Sequence, residues 1–537
     1  MRYFLIVLFF ASQTLLAQKI TKEDKKIIDN LKTSINFLAD DKLEGRRTGT
    51  AGEKLAYEFI QKEFKKAGVE TFTTNKSYIQ DFTVNEGKEI GSENYLVIGD
   101  IVYSLEKEDF PFSFSGAAKD IDLKKIKNDV NKIDLATILK ENENNPHFNL
   151  KDKIYSISKN SQVEKKQAVI FFNSSNIKEK LTFDAKDNSE QLLIPVIYLT
   201  KNIAEKLGDL SYSATLNVLV KEKKKTGHNV IGYINNNATN TIIIGAHYDH
   251  LGYGEDHNSL YTGATPMIHN GADDNASGTA ALLEMAKFLK KSTYKNYNFL
   301  FISFSGEELG LFGSKYFTNN AGLDLKTVNY MVNMDMVGRL NDSTHGITIG
   351  GYGTSPTWGK IIKKENAYFK INFDSSGSGP SDHTSFYKKD IPVLFFFTGS
   401  HKDYHKPTDD ADKINYIGEL QIIKYIQNII AQTNNLDKIS FTKTREVSMG
   451  KSSFKVSLGV MPDYTFSGSG VLVDAVSENR PAQKAGIKTG DILVQLGEHT
   501  FNDVQTYMDA LNKFNKGEST NVKVKRGKEE LLLLITF

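Results

Sequence analysis

The stretch His247-Tyr248-Asp249-His250-Leu251-Gly252, followed by Asn270-Gly271-Ala272-Asp273-Asp274-Asn275-Ala276-Ser277-Gly278, decides how this chain reads. Imidazole and carboxylate stand here in the order that a metal site needs. Three further segments add to them: Ser305-Gly306-Glu307-Glu308-Leu309-Gly310, Asn333-Met334-Asp335-Met336-Val337-Gly338 and Asp403-Tyr404-His405-Lys406-Pro407. Together they supply five ligand residues and one spare carboxylate, the inventory of a two-metal hydrolytic site.

Working outward, residues 228–436 alternate strands with helices, which argues for a sheet flanked by helices. Strands are expected at 229–234 and 241–246, paired around the turn 235–238, and then at 297–305, 328–336 and 391–398. Helices are expected at 277–290, 308–317 and 417–433. His247, Asp249, Glu307, Glu308, Asp335, His401 and His405 then all fall at or just past the carboxyl end of a strand. Open α/β sheets gather their ligand sites there, so residues distant in sequence can converge.

A hydrolytic pair of cations sits roughly 3.5–4 Å apart and shares a bridging carboxylate. The candidates fill that pattern without remainder. Asp274 bridges, His247 and Asp335 complete one site, and Glu308 and His405 complete the other. Spacing alone leaves Asp273 open as an alternative to Asp274. Glu307 is left to act as the general base, and Asp249 suits a carboxylate that fixes the tautomer of His247. His250, His257, His269, His345 and His401 read as loop histidines, whereas Asp382-His383 could line the substrate side.

These segments resemble the di-zinc exopeptidase family of secreted aminopeptidases, aminopeptidase Y and glutamate carboxypeptidases. The likeness rests on Ala246-His247-Tyr248-Asp249, Ala272-Asp273-Asp274-Asn275-Ala276-Ser277-Gly278, Gly306-Glu307-Glu308-Leu309-Gly310, Asn333-Met334-Asp335-Met336-Val337-Gly338 and Tyr404-His405. In that family the acid directly before Asn is the bridge, which favours Asp274, and the first Glu of the pair is the base. The resemblance covers 22–88 and 228–436 and implies a three-layer α/β/α fold with two zinc ions. An oxygen-rich pair of sites accepts other divalent ions as well.

Residues 22–88 open with a helix expected over 51–67, preceded by the loop Gly45-Arg46-Arg47-Thr48-Gly49 and stopped by Gly68. Its expected apolar face is Leu55, Phe59, Ile60 and Phe64. Residues 89–226 form a β-rich insert that looks like a protease-associated domain, with strands at 94–102, 167–173 and 192–199. A polar linker is expected at 437–451, and 452–537 resembles a PDZ domain. Ser457-Leu458-Gly459-Val460 suits the loop that receives a peptide or protein C-terminus, and 481–493 suits the adjoining helix, turn and strand.

Composition narrows the remaining choices. At 537 residues the chain exceeds one core. Lys+Arg 67 against Asp+Glu 65 leaves +2, so no field recruits nucleic acid. The protein contains no cysteine, which excludes disulfides, thiolate ligands and a lipid on cysteine. Residues 1–17 read as a signal peptide, placing the protein outside the cell or in the periplasm, with no membrane anchor. The functional expectation is an exported zinc aminopeptidase acting on peptides. A carboxypeptidase of the same family is the alternative. Glutaminyl cyclisation and an inactive peptide-binding scaffold are the readings from other classes.

Overall fold

A computed structural model describes residues 20–72, 76–143, 145, 148–185, 187, 189–256, 258–444, 456–462, 469–476, 480–502, 504–527 and 529–537. The expected signal peptide and His257 lie outside these residues, as does 445–451 of the expected linker. By its contacts the chain divides into two compact units, Met1–Phe82 with Thr226–Phe537, and Thr83–Lys225.

The first unit is organised by a sheet with nine strands among the described residues. In chain order they are β1 (Glu70–Thr71), β2 (Ile79–Ile90), β3 (Val220–Ile234), β4 (Thr241–His247), β5 (Asn298–Phe304), β6 (Val328–Met334), β7 (Gly346–Gly350), β8 (Lys370–Phe373) and β9 (Val393–Phe397). The spatial order is β1-β3-β5-β4-β6-β9-β7-β8, with β2 also on β3. β5, β4, β6 and β9 run parallel, so their carboxyl ends share one edge.

Both faces of the central strands are apolar, as a sheet covered on both sides requires. On β4, Ile242, Ile244 and Ala246 face one core and Ile243 faces the other. The first core is closed by α1 (Lys22–Leu38), α2 (Ala51–Ala67), α3 (Gly278–Lys291) and, through Ile422, Ile423 and Ile426, the helix Tyr416–Thr433. The second is closed by α4 (Phe312–Asn319) through Phe317, and by the short helix His383–Tyr387 through Phe386. The result is the three-layer α/β/α arrangement.

Local signals explain the helix ends. The side chain of Thr21 accepts from Asp24 N–H at the start of α1 and Asp24 returns the bond, a capping box. α2 ends at Gly68 in the left-handed region with Lys65 and Lys66 in its last turn. Its buried stripe is Ala56, Ile60 and Phe64, while Leu55 is exposed and Phe59 stacks on Phe37.

Two expectations change. The 229–234 and 241–246 strands are not partners: β3 pairs with β5 antiparallel and β4 lies on the far side of β5. A short turn between apolar runs permits a hairpin, but it does not forbid a third strand from entering between them. The helix expected from Glu308 begins only at Phe312, because Gly306 (φ +69), Gly310 (φ +111) and Leu311 (φ +62) adopt left-handed backbone. The two glutamates therefore sit on a loop after β5.

Residues 439–444 are held to the sheet domain by hydrogen bonds, from Ile439 N–H to Asn329 Oδ1 and from Thr442 N–H to the Thr354 carbonyl among others. The C-terminal strands Val460–Pro462, Val471–Val476, Ile492–Leu496, Ser519–Arg526 and Glu529–Thr536 enclose their own core of Leu458, Val471, Leu493, Tyr507 and Val522.

The second unit contains two four-stranded sheets. One joins the hairpin Tyr95–Ile98 and Ile101–Ser104 to Ala214–Val218 and Ala118–Asp122. The other sets Val130–Asp134, Ala168–Phe172 and Val196–Leu199 in parallel, with Phe110–Pro111 at its edge. The helices Leu150–Val163 and Lys201–Leu207 accompany them.

Phe301 on β5 is fully buried and faces the first core. Phe301→Ala is expected to lower the unfolding free energy by roughly 3–5 kcal/mol. Chemical denaturation of the two proteins side by side checks this.

Candidate metal centre

The edge formed by the carboxyl ends of β4, β5, β6 and β9 gathers the predicted residues. His247 is the last residue of β4 and Asp335 follows β6. Asp274 arrives on the segment before α3, Glu307 and Glu308 on the loop after β5, and His405 on the loop after β9.

His247 Nε2 lies 3.4 Å from Asp274 Oδ1 and 3.4 Å from Asp335 Oδ1. His405 Nε2 lies 3.3 Å from Asp274 Oδ2 and 3.3 Å from Glu308 Oε2. The two oxygens of Asp274 are thus divided between two clusters, each completed by its own imidazole and its own acid. Asp273 turns away: its Oδ1 accepts from Gly338 N–H at 2.7 Å and its Oδ2 meets His401 Nε2 at 3.2 Å.

The imidazoles are oriented from behind. His247 Nδ1 lies 3.2 Å from the Asp249 carbonyl, and His405 Nδ1 lies 2.8 Å from the Asn258 carbonyl. A carbonyl only accepts, so each Nδ1 carries the proton and each Nε2 is presented to the cluster. Asp249 meets the His247 ring with two groups. Its backbone oxygen lies at Nδ1, and its carboxylate stands 3.7 Å from the same nitrogen, helps to raise the imidazole, and accepts from Thr48 Oγ1 at 3.0 Å and Glu307 N–H at 3.2 Å.

Sequence reading missed three supports. His250, read as a loop histidine, is buried with Nδ1 2.7 Å from Glu308 Oε1 and groups with Asp274 and Glu308. The carboxylate of Asp409 accepts from the backbone N–H of Asp273 at 3.0 Å and of Asp274 at 3.1 Å, fixing the turn that presents the shared acid. The fully buried guanidinium of Arg46 donates to the carbonyls of Tyr248 at 2.8 Å, Asn270 at 2.6 Å and Gly271 at 3.0 Å, and also to Leu38. It ties the His247 loop to the Asp274 loop. Burial pulls its pKa down to about 10, which the nearby carboxylates oppose, so it stays charged at neutral pH. The one available signal was the paired acid in Thr408-Asp409-Asp410.

His269 lies beside this region with Nε2 2.7 Å from Ser259 Oγ, and His345 stacks on Tyr368. Neither joins the cluster. His383 does line the cavity, stacked on Phe395 at 4.5 Å, and burial pushes its imidazole down to about 3, leaving a neutral wall. Asp382 is buried, and burial pushes its carboxyl up to about 7 against the pull of His247.

The charges are mutually dependent. Burial pushes the Glu307 carboxyl well above the usual carboxylate range; His247 opposes this, and Glu308 and Asp335 add to it. Burial would also raise Glu308, but His405 and His250 hold it well below that range. Burial disfavours charge on His247 and His405, yet Asp335 and Glu307 raise the first and Glu308 and Asp274 the second, both well above an ordinary imidazole. Protons on these rings do the balancing that cations would otherwise do. Two imidazole nitrogens and three acids, with one acid facing both groups, match the donor chemistry of zinc. The cavity they line measures about 310 Å³ and continues over Leu260, Met336, Phe395, Phe397 and Tyr404.

Residues 229–430 match the sequence model of peptidase family M28, and residues 439–536 match that of the PDZ domain. Aminopeptidase YwaD of Bacillus subtilis (strain 168) is 29% identical over 277 residues, which cover 49% of this chain and 56% of that protein. Leupeptin-inactivating enzyme 1 of Streptomyces exfoliatus is 32% identical over 214 residues, 39% of this chain and 43% of that protein. The chain spans about half the length of the curated relatives it matches. The solved structure of an aminopeptidase from Aneurinibacillus sp. strain AM-1 is 23% identical, covers 78% of this chain and 95% of its own, and superposes with a TM-score of 0.42.

Because zinc must displace the protons held by His247 and His405, its binding is expected to release protons and to weaken as pH falls. Calorimetric zinc titrations in buffers of different ionisation enthalpy, repeated across pH, check this; an affinity indifferent to pH would contradict it. The fold, the converging acids and imidazoles and the sequence match agree: residues 229–430 are similar to peptidase family M28 and residues 439–536 to the PDZ domain.

Proposed function

We propose that the protein is an exported, zinc-dependent aminopeptidase that removes residues from the amino terminus of peptides. The observation that carries this reading is the division of the Asp274 carboxylate between His247 and His405, at 3.4 and 3.3 Å. His247 and Asp335 would hold one ion, Glu308 and His405 a second, and Asp274, which faces both groups, would be shared between them. Bound there, two zinc ions would supply Lewis acidity and an ionised water at neutral pH.

The chain's own residues supply the rest. Glu307, as a carboxylate on the loop beside Glu308, takes the proton of the attacking water and delivers it to the leaving amine. Asp249 fixes the loop by accepting from Glu307 N–H. The concentration of acids around the cavity favours an α-ammonium over an α-carboxylate near the reacting bond. Leu260, Phe395, Phe397 and Tyr404 offer apolar surface to the first side chain. The relatives named as aminopeptidases support the same choice. No helix among the described residues is long and apolar enough to cross a membrane, and the proposal of export rests on the signal-like N-terminus.

A panel of peptides with free, acetylated or amidated ends tests the reading. Zinc-dependent cleavage blocked by acetylation is expected, and cleavage of acetylated peptides blocked by amidation would make the enzyme a carboxypeptidase instead. Glu307→Gln is expected to keep zinc but lose turnover by roughly 10²–10⁴-fold. Full activity in that variant would remove Glu307 from the base role.

A further inference from the structure

The cavity has a second kind of lining that the peptidase segments do not provide. Ser457, Gly459, Val460, Pro462 and Arg480, all from the PDZ domain, line it together with His247, Glu307 and His405. Both sets belong to the same compact unit. The loop expected to receive a peptide carboxylate therefore borders the space in which the reacting bond would lie.

Its chemistry is specific. The Gly459 N–H donates to Ser457 Oγ at 3.1 Å, so this amide is already satisfied. Arg480 instead brings a positive charge. The Leu458 carbonyl accepts from Ala482 N–H at 2.8 Å, which fixes the segment after Arg480 against the loop. Gly459 has φ +77, and a Cβ placed on it would lie 2.2 Å from Arg480 Cβ, so glycine is what lets the arginine cross the loop. Among the described residues lining the cavity, Arg480 is the one lysine or arginine, and its guanidinium makes no ion pair with a described residue. Asp274, Glu307, Glu308, Asp335 and Asp374 line the same space.

The cavity thus combines a group of acids from the sheet domain with one cation from the PDZ loop. Its volume of about 310 Å³ is at the small end of ligand sites. We propose that Arg480 is a substrate-binding residue that receives the terminal carboxylate of short peptides, so that the PDZ domain selects zwitterionic peptides of a few residues for the peptidase centre. This rests on the aminopeptidase reading. The PDZ domain would then recognise the far end of the substrate itself, in place of a separate protein tail. A guanidinium meets a carboxylate in planar, two-pronged fashion, which lysine does not reproduce.

The test compares leucine-initiated peptides of two to six residues, each as free acid and C-terminal amide, on the zinc-loaded full chain. Wild type is expected to favour the acid over the amide of the shortest peptides by about tenfold in KM, with the preference fading as length grows. Arg480→Ala should abolish that preference and Arg480→Lys should restore only part of it. Calorimetric binding of a tripeptide acid and its amide to zinc-loaded Glu307→Gln, with and without Arg480→Ala, reads the same preference without turnover. Absence of cleavage by wild type would refute the peptidase reading, while the binding comparison would still decide on Arg480. Equal binding of acid and amide, or a preference that survives Arg480→Ala or holds at every length, would overturn the proposal.

Discussion

The carboxylates of Asp274, Glu307, Glu308 and Asp335 line one cavity, and bringing four acids together out of water requires opposite charge nearby. Two unit charges at about 4 Å interact by ~4 kcal/mol at an effective dielectric of ~20, so the cluster cannot persist uncompensated. His247 and His405 at 3.3–3.4 Å provide that compensation as imidazolium, and His250 adds to it at Glu308. The same arrangement explains why cations would be taken up: each ion replaces protons that the acids already hold in place. Stability of the site and chemistry of the site are one constraint.

That constraint propagates outward. Arg46 lies far from the cluster in sequence, yet its guanidinium joins the carbonyls of the two loops that deliver His247 and Asp274. Asp409 fixes the backbone of Asp273 and Asp274, and Asp273 in turn is held by Gly338 and His401. These partners use backbone groups on loops, where no ladder of a helix or strand would satisfy them. The parallel strands behind them are apolar on both faces and packed between helices, so the edge that carries the loops is rigid.

The PDZ domain contributes a cation, Arg480, to the lining of an otherwise acidic cavity. Its fold is self-contained, with a separate core around Leu458, Leu493 and Val522. Its share in the cavity beside the sheet domain, through Ser457, Gly459 and Arg480, is therefore a matter of placement. A peptide between acids and a guanidinium would be read at both ends, which couples length to recognition without a specific side-chain pocket.

By itself the sequence determined which residue types serve the site. The imidazoles and acids His247, Glu307, Glu308, Asp335 and His405 stand at or past the ends of apolar runs, and Asp274 stands just before a helix; apolar runs of that length become buried strands whose ends can share an edge. The helix over Ala51–Ala67 was equally legible, because Thr50 and Gly68 mark its ends through local hydrogen bonding and backbone preference. What only the tertiary structure decided was everything carried by contacts between distant segments. β5 enters between β3 and β4, the Asp249 carbonyl joins its carboxylate at His247 Nδ1, and His250 turns from its loop onto Glu308. Arg46 and Asp409 join loops more than a hundred residues away. Periodicity reports which face of an element is buried; it carries no information about which loop will meet which, since that depends on strand order and on where each backbone carbonyl finds its donor.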